Sequence, residues 1–314
     1  MKTVQKNSSI IDQANQEDWD HIFFIVNPIS AIIAKLIIEK FRINEKNLKI
    51  YSIRETDVSL ITKDKHKIDS YWHDRFFIKL GFNPLTKRVL KKIDARKRGF
   101  VAYTSWCFRE STITPSINEL LKSDLARGHI YIEEGQATYR PSKPYSVEKF
   151  QKEQITYAEG LTQMYRDDAK AFICILNNAF PEVPNSKKII LNNISILKNF
   201  YKPKLLGIKS IGVTCAERRL EHHQWKGMLK KLIHALPDGG VIKIHPSFLF
   251  DPKKRKRIFS IFNKLKTDNI EICDESVILE IEMLFEKKFL IGSLTSLDLY
   301  ATSFGSEFKS IELY

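Results

Sequence analysis

The chain has 314 residues, with 51 Lys and Arg against 37 Asp and Glu, a formal net charge of +14 and 43% hydrophobic residues. That apolar content at this length predicts a globular protein with one large core or, more commonly, two domain cores. No run of about 18 apolar residues occurs, and the polar start Met1-Lys2-Thr3-Val4-Gln5-Lys6-Asn7 lacks the apolar stretch of a secretory signal, so the expectation is a cytoplasmic protein with no membrane-spanning helix.

In chain order, residues 1–20 read as a polar N-terminal tail. A strand at 21–26 feeds the helical pattern Ile29-Ile32-Ile33-Leu36-Ile37, and further strands are predicted at 48–53, 99–104 and 129–133. Strands alternating with helices imply parallel pairing. Residues Val147 to Phe180 read mainly as helix, after which Pro181, Pro184 and Pro203 punctuate a connection, giving domains of 21–203 and 204–314. The second domain opens with a strand at 209–214 and continues with a helix from Trp225 to Leu236 and a strand at 241–244. A helix at 253–266, a strand at 269–273, a helix at 277–287 and a strand at 288–292 complete the alternation. The absence of a Gly-x-Gly-x-x-Gly or Walker loop argues against dinucleotide oxidoreductases and P-loop enzymes. The pattern specifies a two-domain α/β protein.

Three strand ends carry chemistry. Glu133-Glu134-Gly135 closes the strand His129-Ile130-Tyr131-Ile132, and two adjacent carboxylates repel, which raises the pKa of one and suits it to proton transfer. His245-Pro246 closes Val241-Ile242-Lys243-Ile244, and a histidine there can donate to a phosphate. Phe289-Leu290-Ile291-Gly292 runs into Ser293-Leu294-Thr295-Ser296, where hydroxyls and the amides of a helix start at Leu297-Asp298 suit a phosphate. Singly, these read as a solvated strand end, a turn and an N-cap. Together they place complementary chemistry at the C-terminal ends of strands, where open α/β sheets bind ligands.

The cysteines Cys107, Cys174, Cys215 and Cys273 are widely separated and form no Cys-x-x-Cys pair, so neither a zinc site nor a disulfide framework is expected. His222-His223, preceded by Glu217 and Glu221, reads as a solvated helix face because neighbouring helical residues point about 100° apart. No metal site is predicted.

The order acidic-acidic-Gly, then Lys243-Ile244-His245-Pro246, then a Ser/Thr-Ser loop resembles the bacterial sialyltransferases, a group that includes lipooligosaccharide sialyltransferases, Pasteurella-type enzymes and capsular polysialyltransferases. Phe23-Phe24-Ile25-Val26-Asn27-Pro28-Ile29-Ser30-Ala31 resembles the first strand, loop and helix of the lipooligosaccharide group, so the resemblance spans roughly residues 21 to 301. It implies a GT-B fold, with two Rossmann-like domains facing across a cleft. It also implies a CMP-sialic acid or related CMP-nonulosonate donor, a glycan or glycolipid acceptor, and no cofactor or metal. Glu134 is the implied base, with Glu133 in reserve, since alternation along a strand turns the two carboxylates to opposite faces. Gly135 would let the acceptor approach the backbone. His245 is the implied general acid at the CMP phosphate, with Lys243 and Pro246 beside it. Ser293, Thr295 and Ser296 would bind phosphate oxygens, Glu280 the ribose hydroxyls (Glu275 and Glu282 being alternatives), and Asn27 and Ser30 the acceptor or donor sugar. The chain departs from the group in being short and in carrying Glu at both acidic positions, where several relatives carry Asp. One branch has its catalytic Asp nearer the His-Pro motif, where this chain offers Glu217 or Glu221.

The basic run Lys253-Lys254-Arg255-Lys256-Arg257 suits an anionic membrane surface, and no nucleic-acid motif accompanies it. A GT-B enzyme using a Kdo or a UDP- or GDP-sugar donor and a non-catalytic basic binding protein are the alternatives.

Overall fold

The computed structural model describes residues 4–53, 57–63, 68–71, 91–93, 95–105, 120–139, 168–214, 222–245, 248, 252–265, 268–293 and 295–312. Two compact units divide the chain between Ile194 and Ser195. No described helix is long and apolar enough to cross a membrane.

In the first unit, seven strands form one sheet in the order β3-β2-β1-β4-β5-β6-β7, every recorded pair parallel. The strands are β1 (Asp20–Ile25), β2 (Leu48–Ile53), β3 (Ile68–Tyr71), β4 (Phe100–Thr104), β5 (Ala126–Ile132), β6 (Ala171–Cys174) and β7 (Lys188–Ile190). Every residue of β1 and β4 is buried, as expected for parallel strands covered on both faces. Helix α2 (Pro28–Phe41) is buried from Ile29 to Ile38, which explains its nearly unbroken apolar sequence.

The stretch read as a polar tail contains a helix, α1 (Val4–Gln16), packed against β4 and β7. Its Ile11 and Ala14 are fully buried. A single narrow apolar stripe on an otherwise polar helix concealed it. Residues 171–174, read as part of a helical stretch, form a central strand, because Ala171, Phe172, Ile173 and Cys174 are all buried between β5 and β7. Residues 147–167 of that stretch lie outside the described residues.

The second unit repeats the plan. Strands β8 (Ser210–Val213), β9 (Gly240–Lys243), β10 (Ile270–Ile272), β11 (Phe289–Gly292) and β12 (Glu307–Ser310) form a parallel sheet in the order β10-β9-β8-β11-β12. Helices α3 (His222–His234), α4 (Pro252–Leu265), α5 (Leu279–Phe285) and α6 (Ser296–Ser303) alternate with them. The boundary precedes Pro203 because residues 195–209 are tied to this unit. The buried Glu282 carboxylate accepts from Tyr201 Oη at 2.9 Å and from the amides of Lys204 and Leu205 at 2.8 and 3.1 Å. Buried Lys288 donates to the carbonyls of Leu205 and Ile208 at 2.6 and 3.0 Å.

Both sheets have the Rossmann-like order in which chain direction reverses beside the first strand: between β1 and β4 in one unit and β8 and β11 in the other. Crevices at the carboxyl ends of strands at these points are where such sheets receive ligands.

Candidate functional site

At the carboxyl edge of the first sheet, Phe24, Thr104 and Tyr131 lie level across β1, β4 and β5. The residues just beyond them are tied together. Asn27 caps α2, its Oδ1 accepting the Ser30 amide at 2.9 Å, while its Nδ2 donates to the Glu134 carbonyl at 2.7 Å. The Glu134 amide donates to Thr138 Oγ1 at 3.1 Å. Glu134 is thus held by its backbone on both sides, and its side chain is half-buried. Gly135 follows with φ +102, a conformation that favours glycine, and its carbonyl accepts the Thr138 amide at 2.9 Å.

Glu133 differs sharply from its neighbour. It is fully buried, and its carboxylate accepts the Ile175 amide at 2.7 Å and the Tyr139 hydroxyl. It thereby clamps the end of β5 to the loop after β6 and to the turn at Gln136–Tyr139. Burial and the Glu133 charge push the adjacent Cys174 thiol up to about 12, so this cysteine is an inert core residue.

Ser30 is engaged within the cap of α2. It is fully buried, its Oγ accepts the amides of Val26 and Asn27 at 2.9 and 3.1 Å, and it donates to the Asn27 carbonyl at 2.8 Å. The pattern Asn27-x-x-Ser30 is a capping box, which consumes the hydroxyl. Ser105, buried at the end of β4 across the reversal point, has no hydrogen-bond partner for its Oγ among the described residues. Its polarity in an apolar strand context was the available signal. Thr138 and Tyr139 carried no such mark.

In the second unit, Lys243, Val213 and Gly292 lie level across β9, β8 and β11. The residues that follow them, His245, Thr214 and Ser293, therefore share one edge. Strands two places apart in a sheet are separated by roughly 10 Å, the span of a nucleotide phosphate and its sugar. His245 is half-buried, and its amide donates to Oγ1 of the buried Thr214 at 2.8 Å. Its ring meets Phe248 edge-on at 6.3 Å, and Phe248 in turn packs on Trp225 at 4.4 Å. Thr214 was legible only as the last residue of a strand.

Gly292 permits this edge: a Cβ there would lie 2.2 Å from the Val213 carbonyl oxygen. Ser293 is half-buried. Thr295 caps α6, its Oγ1 accepting the Leu297 amide at 3.2 Å, and Ser296 opens the helix. Amides at a helix start carry partial positive charge.

Lys243 is buried, and its ammonium donates to the carbonyls of Asp274 and Glu275 at 2.9 Å each. It anchors the loop after β10, and burial lowers its pKa despite the favourable field of Cys273 and Glu280. The positive charge expected near the His-Pro motif is thus held by two carbonyls of its own unit. Glu280, in the first turn of α5, has a carboxyl whose pKa is raised by burial, against the lowering effects of its own amide and of Lys243. Glu282 and Glu275 are otherwise engaged, the first in the buried network above and the second with Arg255 at 2.5 Å. Pro246, Cys107, Cys215, Glu217 and Glu221 lie outside the described residues. Among the described residues no three His, Cys, Asp or Glu side chains converge on a point suited to a metal.

No protein-family model and no curated protein sequence matches the chain. Solved structures do. The S. aureus MnaA–UDP complex superposes with a TM-score of 0.55 at 13% identity, covering 92% of this chain and 78% of that one. The Neisseria meningitidis UDP-GlcNAc 2-epimerase bound to UDP-GlcNAc gives 0.54 at 13% identity, covering 93% and 82%. A sialyltransferase from Photobacterium damsela gives 0.50 at 10% identity, covering 89% and 71%. At these identities the likeness establishes shared architecture: the chain has a GT-B-type α/β fold of two Rossmann-like units.

Proposed function

We propose that this chain is a glycosyltransferase that moves a sialic acid or related nonulosonic acid from a CMP-linked donor to a hydroxyl of a surface glycan such as lipooligosaccharide, O-antigen or capsule. The observation that carries the reading is the second unit's edge, where His245, Thr214, Ser293 and the capped start of α6 share the carboxyl ends of three adjacent strands. Donors so arranged suit a leaving phosphate.

The mechanism assigns one task to each unit. As the bond from the anomeric carbon to the CMP phosphate oxygen breaks, the carbon gains oxocarbenium character and the phosphate oxygen gains negative charge, which a proton and hydrogen-bond donors must offset. His245 donates there, Ser293, Thr295 and Ser296 hydrogen-bond the oxygens, and Glu280 accepts from ribose hydroxyls. Glu134 removes the acceptor proton, with inversion at the anomeric carbon and no metal required. Glu133, fully committed to Ile175 and Tyr139, sets the position of Glu134 rather than replacing it.

A second reading keeps this edge and changes the nucleotide, since two similar structures hold UDP or UDP-GlcNAc. The test is transfer from CMP-sialic acid to a lipooligosaccharide or galactoside acceptor. His245→Ala and Glu134→Gln should each lower the rate by about 10²–10⁴-fold with the fold retained. Turnover of a UDP- or GDP-sugar instead moves the assignment to the second reading. Undiminished transfer by both variants refutes the residue roles.

A further inference from the structure

We propose that the outward faces of α3 and α4 form a docking surface for an anionic lipid bilayer. Successive right-handed crossovers place the two helices side by side on one face of the second sheet. Their inward stripes, Trp225, Met228, Leu229 and Leu232 from α3 and Ile258, Ile261 and Phe262 from α4, share one core. Opposite these stripes, at about 100° per residue, lie Lys226, Lys230 and Lys231 of α3 and Lys253, Lys256, Arg257 and Lys264 of α4, while Lys254 and Arg255 flank the N-terminal end of the α4 stripe; all are exposed.

Neither helix contains an Asp or Glu. Glu275 pairs with Arg255 at 2.5 Å, and the two helices carry nine Lys and Arg in all. The run at 253–257 is therefore not an isolated basic turn: the neighbouring helix doubles its width with lysines far away in sequence.

The chemistry favours a bilayer over nucleic acid. Two parallel ridges make a broad surface rather than a groove that tracks a strand. Lysine dominates, supplying compact charges without the planar bidentate geometry that reads bases. Trp225 and Phe262 lie in the core and Phe259 is half-buried, so neither helix presents an exposed Trp, Tyr or Phe as a stacking platform. Diffuse attraction between lysines and acidic headgroups is what remains, and it is worth about fivefold in affinity for each lysine near the surface.

The test uses the full chain with phosphatidylserine–phosphatidylcholine vesicles, phosphatidylcholine vesicles and duplex DNA, at low and high salt. Vesicle flotation should occur with the acidic vesicles alone and be lost at high salt. The combined variant Lys226→Gln, Lys230→Gln, Lys256→Gln and Lys264→Gln should weaken binding by about 10²–10³-fold. A control variant with the same net charge, Lys97→Gln, Lys122→Gln, Lys170→Gln and Lys187→Gln, should bind nearly as well as the wild type, and circular dichroism checks that both fold. Equal loss in both variants, equal binding to neutral vesicles, no flotation, or tighter binding to DNA than to acidic vesicles would each overturn the proposal. The assay contains no nucleotide sugar, so its outcome is independent of the donor assignment.

Discussion

Replacing Glu133 with Ala should destabilise the first unit far more than any change at Glu134. Glu133 is 0% exposed and satisfies two donors, the Ile175 amide at 2.7 Å and the Tyr139 hydroxyl. Truncation strands the buried Ile175 amide and leaves the half-buried Tyr139 hydroxyl without its carboxylate; an unsatisfied buried group costs about 1–3 kcal/mol and the part-buried one less, for a total of about 3 kcal/mol. In a unit spanning residues 1–194, each kcal/mol lowers Tm by about 2–4 °C, so the melting transition should fall by about 6–12 °C. Glu133→Gln keeps an acceptor for Ile175 and lets its amide donate to Tyr139, so it should cost only about 1–2 kcal/mol. Glu134→Gln alters a half-buried side chain and should cost under about 1 kcal/mol while removing transfer activity. Differential scanning calorimetry of the three variants reads these effects directly. An unchanged Tm in Glu133→Ala, or an equal fall in Glu134→Gln, would refute the division of labour between the carboxylates.

Gly292→Ala should prevent the second sheet from closing, because the new Cβ would sit 2.2 Å from the Val213 oxygen; loss of soluble folded protein or a Tm drop by calorimetry checks this. Glu282→Ala removes the acceptor of Tyr201, Lys204 and Leu205, and residues 195–209 should lose amide-exchange protection before the rest of the second unit, as measured by hydrogen–deuterium exchange. His21 is buried beside Tyr103, and burial lowers its pKa from 6.5 to about 4. Between those values the unfolded chain binds a proton that the folded chain does not. Its contribution is therefore fully present above pH 6.5 and is lost as pH falls to about 4, a change of about 3 kcal/mol. His21→Gln should flatten that part of the acid-side stability curve measured by urea titration.

Much of the fold was legible because parallel strands buried on both faces read as apolar runs. β1, β2, β4, β8, β9, β10 and β11 all fall within about two residues of their predicted bounds. β7 and β12 escaped because three residues at one edge and the polar Glu307-Phe308-Lys309-Ser310 at another carry no alternation. The three strand-end motifs were legible by type; the loop at Ser293 lies beside the reversal point of the second sheet, while Glu133-Glu134 and His245 follow β5 and β9, each one strand away from it. What spacing could not show is where side chains spend their hydrogen bonds. Ser30 serves its own helix cap, Lys243 holds two carbonyls, and Glu133 binds an amide that lies 42 residues away. Those commitments depend on tertiary neighbours, which spacing along the chain does not carry.

The central claim, a CMP-sugar phosphate held at the edge marked by His245, is tested most directly by a thermal-shift titration with CMP, CMP-sialic acid, UDP and GDP. A ligand at 100 times its Kd stabilises by about 2.7 kcal/mol. The CMP compounds should raise Tm, UDP and GDP should not, and His245→Ala should abolish the rise. No shift with CMP, or a shift that His245→Ala leaves intact, would contradict it.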